Sequence, residues 1–200
     1  MNESNMENEK TPLYVAFSTQ KGGVGKTTFT VLAASYLYYL KGYDVAVVDC
    51  DYPQHSIAGM RKRDAEQVGA DEDYKRMAYE QFTRLGKKAY PVLCSSPEKA
   101  IATADEHIAA GHVPDIMFFD LPGTVNSEGV INSLAGMDYI FTPISADKVV
   151  LESSLSFAMA IQKLLVRNEA CRLAGLYLFW NMVDAVSYTH LRAHETSAHL

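Results

Sequence analysis

Gln20-Lys21-Gly22-Gly23-Val24-Gly25-Lys26-Thr27-Thr28 is the stretch that decides the fold. It follows a short aliphatic and aromatic run, Leu13–Ser18, and opens a helical pattern, Thr27–Lys41. A glycine-rich turn between a strand and a helix is the context a phosphate-binding loop requires. Glycines let the backbone adopt positive φ and bring its N–H groups close to an anion. The N-terminus of the following helix adds a partial positive charge. Lys26 is then placed to reach the β- and γ-phosphates, the Thr27 hydroxyl to ligate Mg2+, and Thr28 to contact the α-phosphate.

Outward from this loop, strand-like and helix-like stretches alternate. Strands are expected at Asp44–Asp49, Tyr90–Cys94, Asp115–Asp120, Asp138–Pro143 and Ala174–Trp180, besides Leu13–Ser18. Helices are expected at Pro97–Ala110, near Ser127–Ala135 and at Lys148–Arg167, with a mixed-charge helical region over His55–Leu85. Such alternation predicts the α/β class: a doubly wound, mostly parallel sheet covered on both faces, three layers in all. Ligands of these sheets bind at the carboxyl ends of strands. Three carboxylates stand there: Asp49 and Asp51 in Asp49-Cys50-Asp51-Tyr52-Pro53-Gln54, and Asp120 in Ile116-Met117-Phe118-Phe119-Asp120-Leu121-Pro122-Gly123. A carboxylate near the γ-phosphate can orient water for in-line attack. Alternatively, Asp49 and Asp51 simply end a strand and cap the next helix.

The ordinary P-loop spacing would put glycine at position 20, where Gln20 stands, and Lys21 directly precedes the glycine pair. This resembles the deviant Walker A box of the ParA/MinD family of P-loop NTPases, over nearly all of residues 11–184. The resemblance implies ATP and Mg2+ as cofactors and slow, partner-stimulated hydrolysis to ADP and phosphate. It implies an ATP-dependent homodimer in which Lys21 reaches the partner subunit's nucleotide, a task comparable to an arginine finger. Lys21, Lys26 and Asp51 are the implied catalytic residues, with Asp51 orienting the attacking water. Gly22, Gly23, Val24, Gly25, Lys26, Thr27 and Thr28 are the implied nucleotide cradle. Thr27, Asp49 and Asp120 would hold Mg2+ or its water shell, Asp120 as the Walker B carboxylate. Pro122 and Gly123 would start a switch-like loop, and Asn181 would contact the adenine edge or merely form a turn. Tyr52 is one residue more than the family's Asp-x-Asp-Pro-Gln pattern.

Within that family the chain resembles the ParA-type conjugal transfer proteins of conjugative transposons. This implies DNA segregation or conjugative transfer, non-specific DNA binding, a ParB-like or transfer-complex activator, and a cytoplasmic place with nucleoid association open. Arg61-Lys62-Arg63 and Lys87-Lys88 are candidate DNA phosphate contacts, or else solvated helix faces beside Asp64, Glu66, Asp71, Glu72 and Asp73. A MinD-like membrane-positioning ATPase is the chief alternative, disfavoured by Pro53-Gln54. A P-loop tyrosine kinase would need a tyrosine-rich tail, which is not visible.

Composition agrees with a globular domain: 200 residues, 48% hydrophobic, 21% charged. A formal net charge of −6 argues against coating nucleic acid through the overall field. Cys50, Cys94 and Cys171 lack metal-ligand spacing and read as reduced thiols. Met1–Lys10 is polar, without an apolar signal core, and is expected to be disordered. The most apolar stretch, Val149–Leu165, is broken by Glu152, Gln162 and Lys163 and reads as a core helix, so no membrane span is expected. The ATPase domain is placed at 11–184. Val186–Thr196 resembles one reading frame of a transposon-end adaptor used in sequencing libraries. Residues 185–200 are therefore expected to be a non-native tail on a domain whose natural chain continues past Asp184. The competing view is a metal-binding tail using His190, His194 and His199.

Overall fold

The computed structural model describes residues 10–123, 128–165 and 171–183. The strands are β1 (Leu13–Phe17), β2 (Val45–Asp49), β3 (Val92–Cys94), β4 (Ile116–Asp120), β5 (Tyr139–Ile144) and β6 (Gly175–Trp180). The α-helices are α1 (Lys26–Ser35), α2 (Ser56–Ala70), α3 (Glu72–Leu85), α4 (Ala100–Ala109), α5 (Glu128–Ala135) and α6 (Lys148–Leu165). All six strands pair in parallel in the order β3-β2-β4-β1-β5-β6. The continuous apolar run of β2 is buried at every position, as a parallel strand covered on both faces should be.

The two-residue alternation of each strand sorts side chains between two layers of helix. Tyr14, Ala16, Ala46, Val48, Met117 and Phe119 face Ala100, Ala104, Val130, Leu134, Phe157 and Ile161 of α4, α5 and α6. Val15, Phe17, Val45, Val47 and Phe118 face the other way, toward Ala34 of α1 and Ile57 of α2. From β1 the chain winds outward to β2 and β3, then returns to β4 and passes to β5 and β6. The winding reverses beside β1, so the carboxyl ends of β2, β4 and β1 lie next to one another. Register places Asp49 opposite Asp120, and Phe119 opposite Ala16.

The helical region over His55–Leu85 is two helices. The break is at Asp71, whose extended backbone cannot continue α2 and whose carboxylate accepts from Asp73 N at 2.8 Å and Tyr74 N at 3.2 Å. That caps α3, which packs alongside α2 and buries no residue. The helix expected to run to Lys41 is α-helical only to Ser35. Tyr36–Leu40 forms a wider π turn, in which Lys41 N donates to Tyr36 O at 3.2 Å. Lys10 pairs with Asp115 at 2.9 Å. The remaining N-terminal expectation, the Ser127 helix start and the 185–200 tail with its histidines lie outside the described residues.

Candidate functional site

The glycine-rich loop is anchored at its base before it turns. Ser18 N donates to Phe141 O at 3.0 Å, and the Thr19 and Ser154 hydroxyls meet at 3.3 Å, tying the loop to β5 and α6. Gly23 and Gly25 take φ of +75° and +92°, which side-chain-bearing residues avoid. Gly25 is the N-cap of α1 and offers no side-chain cap, so the first N–H groups of the helix remain available to an anion. The Lys26 ammonium arches back over the loop and donates to Lys21 O at 3.0 Å. Burial lowers the Lys26 pKa, while Asp120 and Asp51 act in the opposite direction. Gly22 has open space around it, Val24 is buried, Thr27 is half-buried and Thr28 is exposed.

The three carboxylates differ in what already occupies them. Asp49 is fully buried; its Oδ2 accepts from Ile57 N at 2.9 Å and Ala58 N at 3.0 Å, and its Oδ1 from Asp51 N at 3.3 Å. It thus caps α2, whose own N-cap residue, His55, sits in the left-handed region at φ 44° without a side-chain cap. The capping role considered for Asp49 is thus present, and it leaves Asp49 Oδ1 with a single, longer hydrogen bond from Asp51 N. Asp51 is half-buried at the rim, its Oδ2 accepting from Ser56 Oγ at 3.2 Å. Asp120 is 1% exposed, and neither carboxylate oxygen has a hydrogen-bond partner among the described residues. Burial pushes its pKa up to about 6, and Asp49 and Asp51 push the same way. The Thr27 hydroxyl and the Lys26 ammonium oppose the rise, the hydroxyl without closing a bond of ordinary geometry.

A buried carboxylate without partners beside a threonine hydroxyl fits a hard divalent cation, Mg2+ above all, which keeps several waters and uses few protein oxygens. Among the described residues no group of three His, Cys, Asp or Glu side chains could hold a metal by itself; waters and the oxygens of a bound phosphate chain would supply the remaining ligands.

The loop after β4 closes against this site. A Cβ on Gly123 would lie 3.1 Å from Lys26 Nζ and 3.6 Å from Thr19 O. Asn181, just past β6, donates from Nδ2 to Val24 O at 3.0 Å. Two of the five basic residues considered for DNA are committed elsewhere. Arg61 stacks over the Tyr90 ring at 4.4 Å, and Lys87 lies over Tyr38 and donates to Gly42 O, Tyr43 O and Asp44 Oδ1. Their cationic ends help hold the surrounding helix and turns; Lys62, Arg63 and Lys88 are exposed. The sequence assigns no site role to His55, Ser56 or Ser154. Only the position of His55, just after Pro53-Gln54 and before a helix, marks it as a turn residue.

A P-loop cradle at the switch point of a parallel sheet, with an acidic side chain at the end of the neighbouring strand that has no hydrogen-bond partner among the described residues, defines a nucleotide-binding α/β domain. The family described as the CobQ/CobB/MinD/ParA nucleotide binding domain matches residues 15–190, and the chain belongs to it. No match was found among curated proteins. The fold is similar to that of a plasmid partition protein from Borrelia burgdorferi bound to AMPPNP, at TM-score 0.60 and 18% identity, covering 94% of this chain and 84% of that one. It is similar to pNOB8 ParA bound to nonspecific DNA, at TM-score 0.60 and 17% identity, covering 92% and 73%. It is also similar to cobyrinic acid a,c-diamide synthase from Mycobacterium smegmatis with bound ADP and magnesium, at TM-score 0.58 and 18% identity, covering 93% and 82%. No helix among the described residues is long and apolar enough to cross a membrane.

Proposed function

We propose that the protein is a ParA-like ATPase that acts as an ATP-dependent dimerisation switch in segregation or conjugative transfer of a mobile element's DNA. The observation that carries this is Lys21. Its carbonyl oxygen is held by Lys26, while among the described residues no side chain pairs with its own ammonium. A half-exposed cation beside the cradle, without a local counter-ion, suits a triphosphate presented across a two-fold axis.

In this proposal the main-chain N–H groups of Gly22 to Thr28 and the Lys26 ammonium grip the phosphates, and Asp51 orients the attacking water. Thr27 and Asp120 would hold Mg2+, with Asp49 behind them; the ion would neutralise charge on the β- and γ-phosphate oxygens. ATP-bound dimers would bind DNA without sequence preference, as the solved complex of the pNOB8 relative suggests. A ParB-like or transfer-complex protein would stimulate hydrolysis and release. The expected place of action is the cytoplasm, on the nucleoid.

The test is light scattering with ATP and Mg2+, paired with analysis of the reaction product. The wild-type chain should double in mass with ATP and release free phosphate. Lys21→Ala should bind ATP as a monomer. Equal dimerisation of the two proteins would refute the switch, and phosphotyrosine in place of free phosphate would identify a kinase.

A further inference from the structure

Asn181 touches the phosphate loop itself. Its main-chain N donates to Ile144 O at 2.7 Å, which fixes it at the ends of β5 and β6. Its side-chain Nδ2 donates to the Val24 carbonyl at 3.0 Å, across 157 positions of sequence. Val24 is buried, and the Asn181 amide gives its carbonyl a protein partner. The next residue, Gly25, is hemmed in: a Cβ there would sit 3.3 Å from Asn181 Nδ2 and 3.4 Å from the Phe29 ring. Phe29 packs edge-on against Phe179 with ring centroids 4.8 Å apart, so the end of β6 supports both sides of this peptide.

The peptide bond is planar and trans, so the Val24 C=O and the Gly25 N–H point in opposite directions. Holding the carbonyl outward turns the N–H inward, toward the concave side of the loop where an anion is held. Without Asn181 the Val24–Gly25 peptide could rotate, since Gly25 imposes little restriction of its own.

We propose that Asn181 is a positioning residue for the phosphate cradle, which aims the Gly25 N–H through the Val24 carbonyl and acts on the phosphate chain whatever base is attached. This rests on the nucleotide reading above, and departs from the adenine contact that the family resemblance implies for the same residue.

The test is calorimetric titration of the 200-residue chain with Mg2+ and, in turn, ATP, GTP and inorganic tripolyphosphate. Asn181→Ala should weaken all three by a common factor of roughly tenfold, the loss of one oriented hydrogen-bond donor. Asn181→Asp keeps the shape and the main-chain bond but cannot donate to Val24 O, and should weaken all three at least as much. Thermal melting without ligand accompanies each titration, because a purely structural residue would lower the melting temperature and leave the affinity of the folded fraction unchanged. Loss of ATP affinity with tripolyphosphate unaffected would overturn the proposal in favour of base recognition. Wild-type affinity in Asn181→Asp would overturn it as well. Failure of the wild-type protein to bind any of the three would overturn the nucleotide reading beneath it.

Discussion

Replacing Asp120 by asparagine should make the nucleotide-free protein more stable at neutral pH. The Asp120 carboxylate is buried without a hydrogen-bond partner among the described residues, and its pKa rises from 3.8 to about 6. A folded-state pKa above the unfolded value favours the protonated form on folding. The corresponding stability is fully present below about 3.8 and is lost as pH rises through about 6. At pH 7.5 the ionised group therefore opposes folding. A shift of about two pKa units corresponds to at most ~3 kcal/mol. That shift already contains the Lys26 attraction, but asparagine leaves its own amide buried and removes the charge that faces Lys26, so a gain of ~1–3 kcal/mol is expected for Asp120→Asn. For a domain of this size that is a rise of roughly 2–12 °C in melting temperature. Differential scanning calorimetry without nucleotide or Mg2+, at pH 7.5 and again at pH 5, provides the check. The gap should narrow at pH 5, where the wild-type carboxyl is largely protonated. Mg2+ with ATP should then stabilise the wild type and add far less to the variant. A variant less stable than wild type at pH 7.5, or a gap independent of pH, would refute the assignment of Asp120 as an uncompensated charge awaiting a cation.

Gly123→Ala should lower ATP affinity by roughly tenfold, ~1.4 kcal/mol, because the new methyl would crowd Lys26 Nζ at 3.1 Å; unchanged binding by calorimetry would show that the loop after β4 can yield. At position 55 the left-handed backbone sets a preference between two substitutions that both delete the imidazole. His55→Gly should unfold at higher denaturant than His55→Ala by ~1 kcal/mol, and equal midpoints would mean that α2 does not start as described.

The features legible in the sequence are those with local causes. Apolar runs of about five residues mark β1, β2 and β4 because a parallel strand buries both faces, and the glycine pattern marks the loop because backbone sign is set residue by residue. The acidic ends of β2 and β4 were visible as well. Their different states were not, because they depend on where the chain goes next. Asp49 is occupied by backbone groups of α2, eight and nine positions downstream, whereas no described residue closes a hydrogen bond to the Asp120 carboxylate. Arg61 and Lys87 looked like surface cations because the rings that hold them, Tyr90 and Tyr38, are distant in sequence. The Asp71 break is carried by an Asp-Glu-Asp cluster that reads equally well as a solvated face. Asn181 could be placed at a strand end, but its contact with Val24 required knowing that β6 lies two strands from β1.

The position of β1 also has a consequence for synthesis. The first strand made lies between β4 and β5, pairing Leu13 with Ile116 and Val15 with Tyr139. At ribosomal speeds of about 5–20 residues per second, β1 waits on the order of 5–20 s for its first lateral neighbour. Until then the loop that follows it has no base to stand on. Capture of a triphosphate by a nascent chain would thus report that β4 and β5 have emerged and docked on either side of β1.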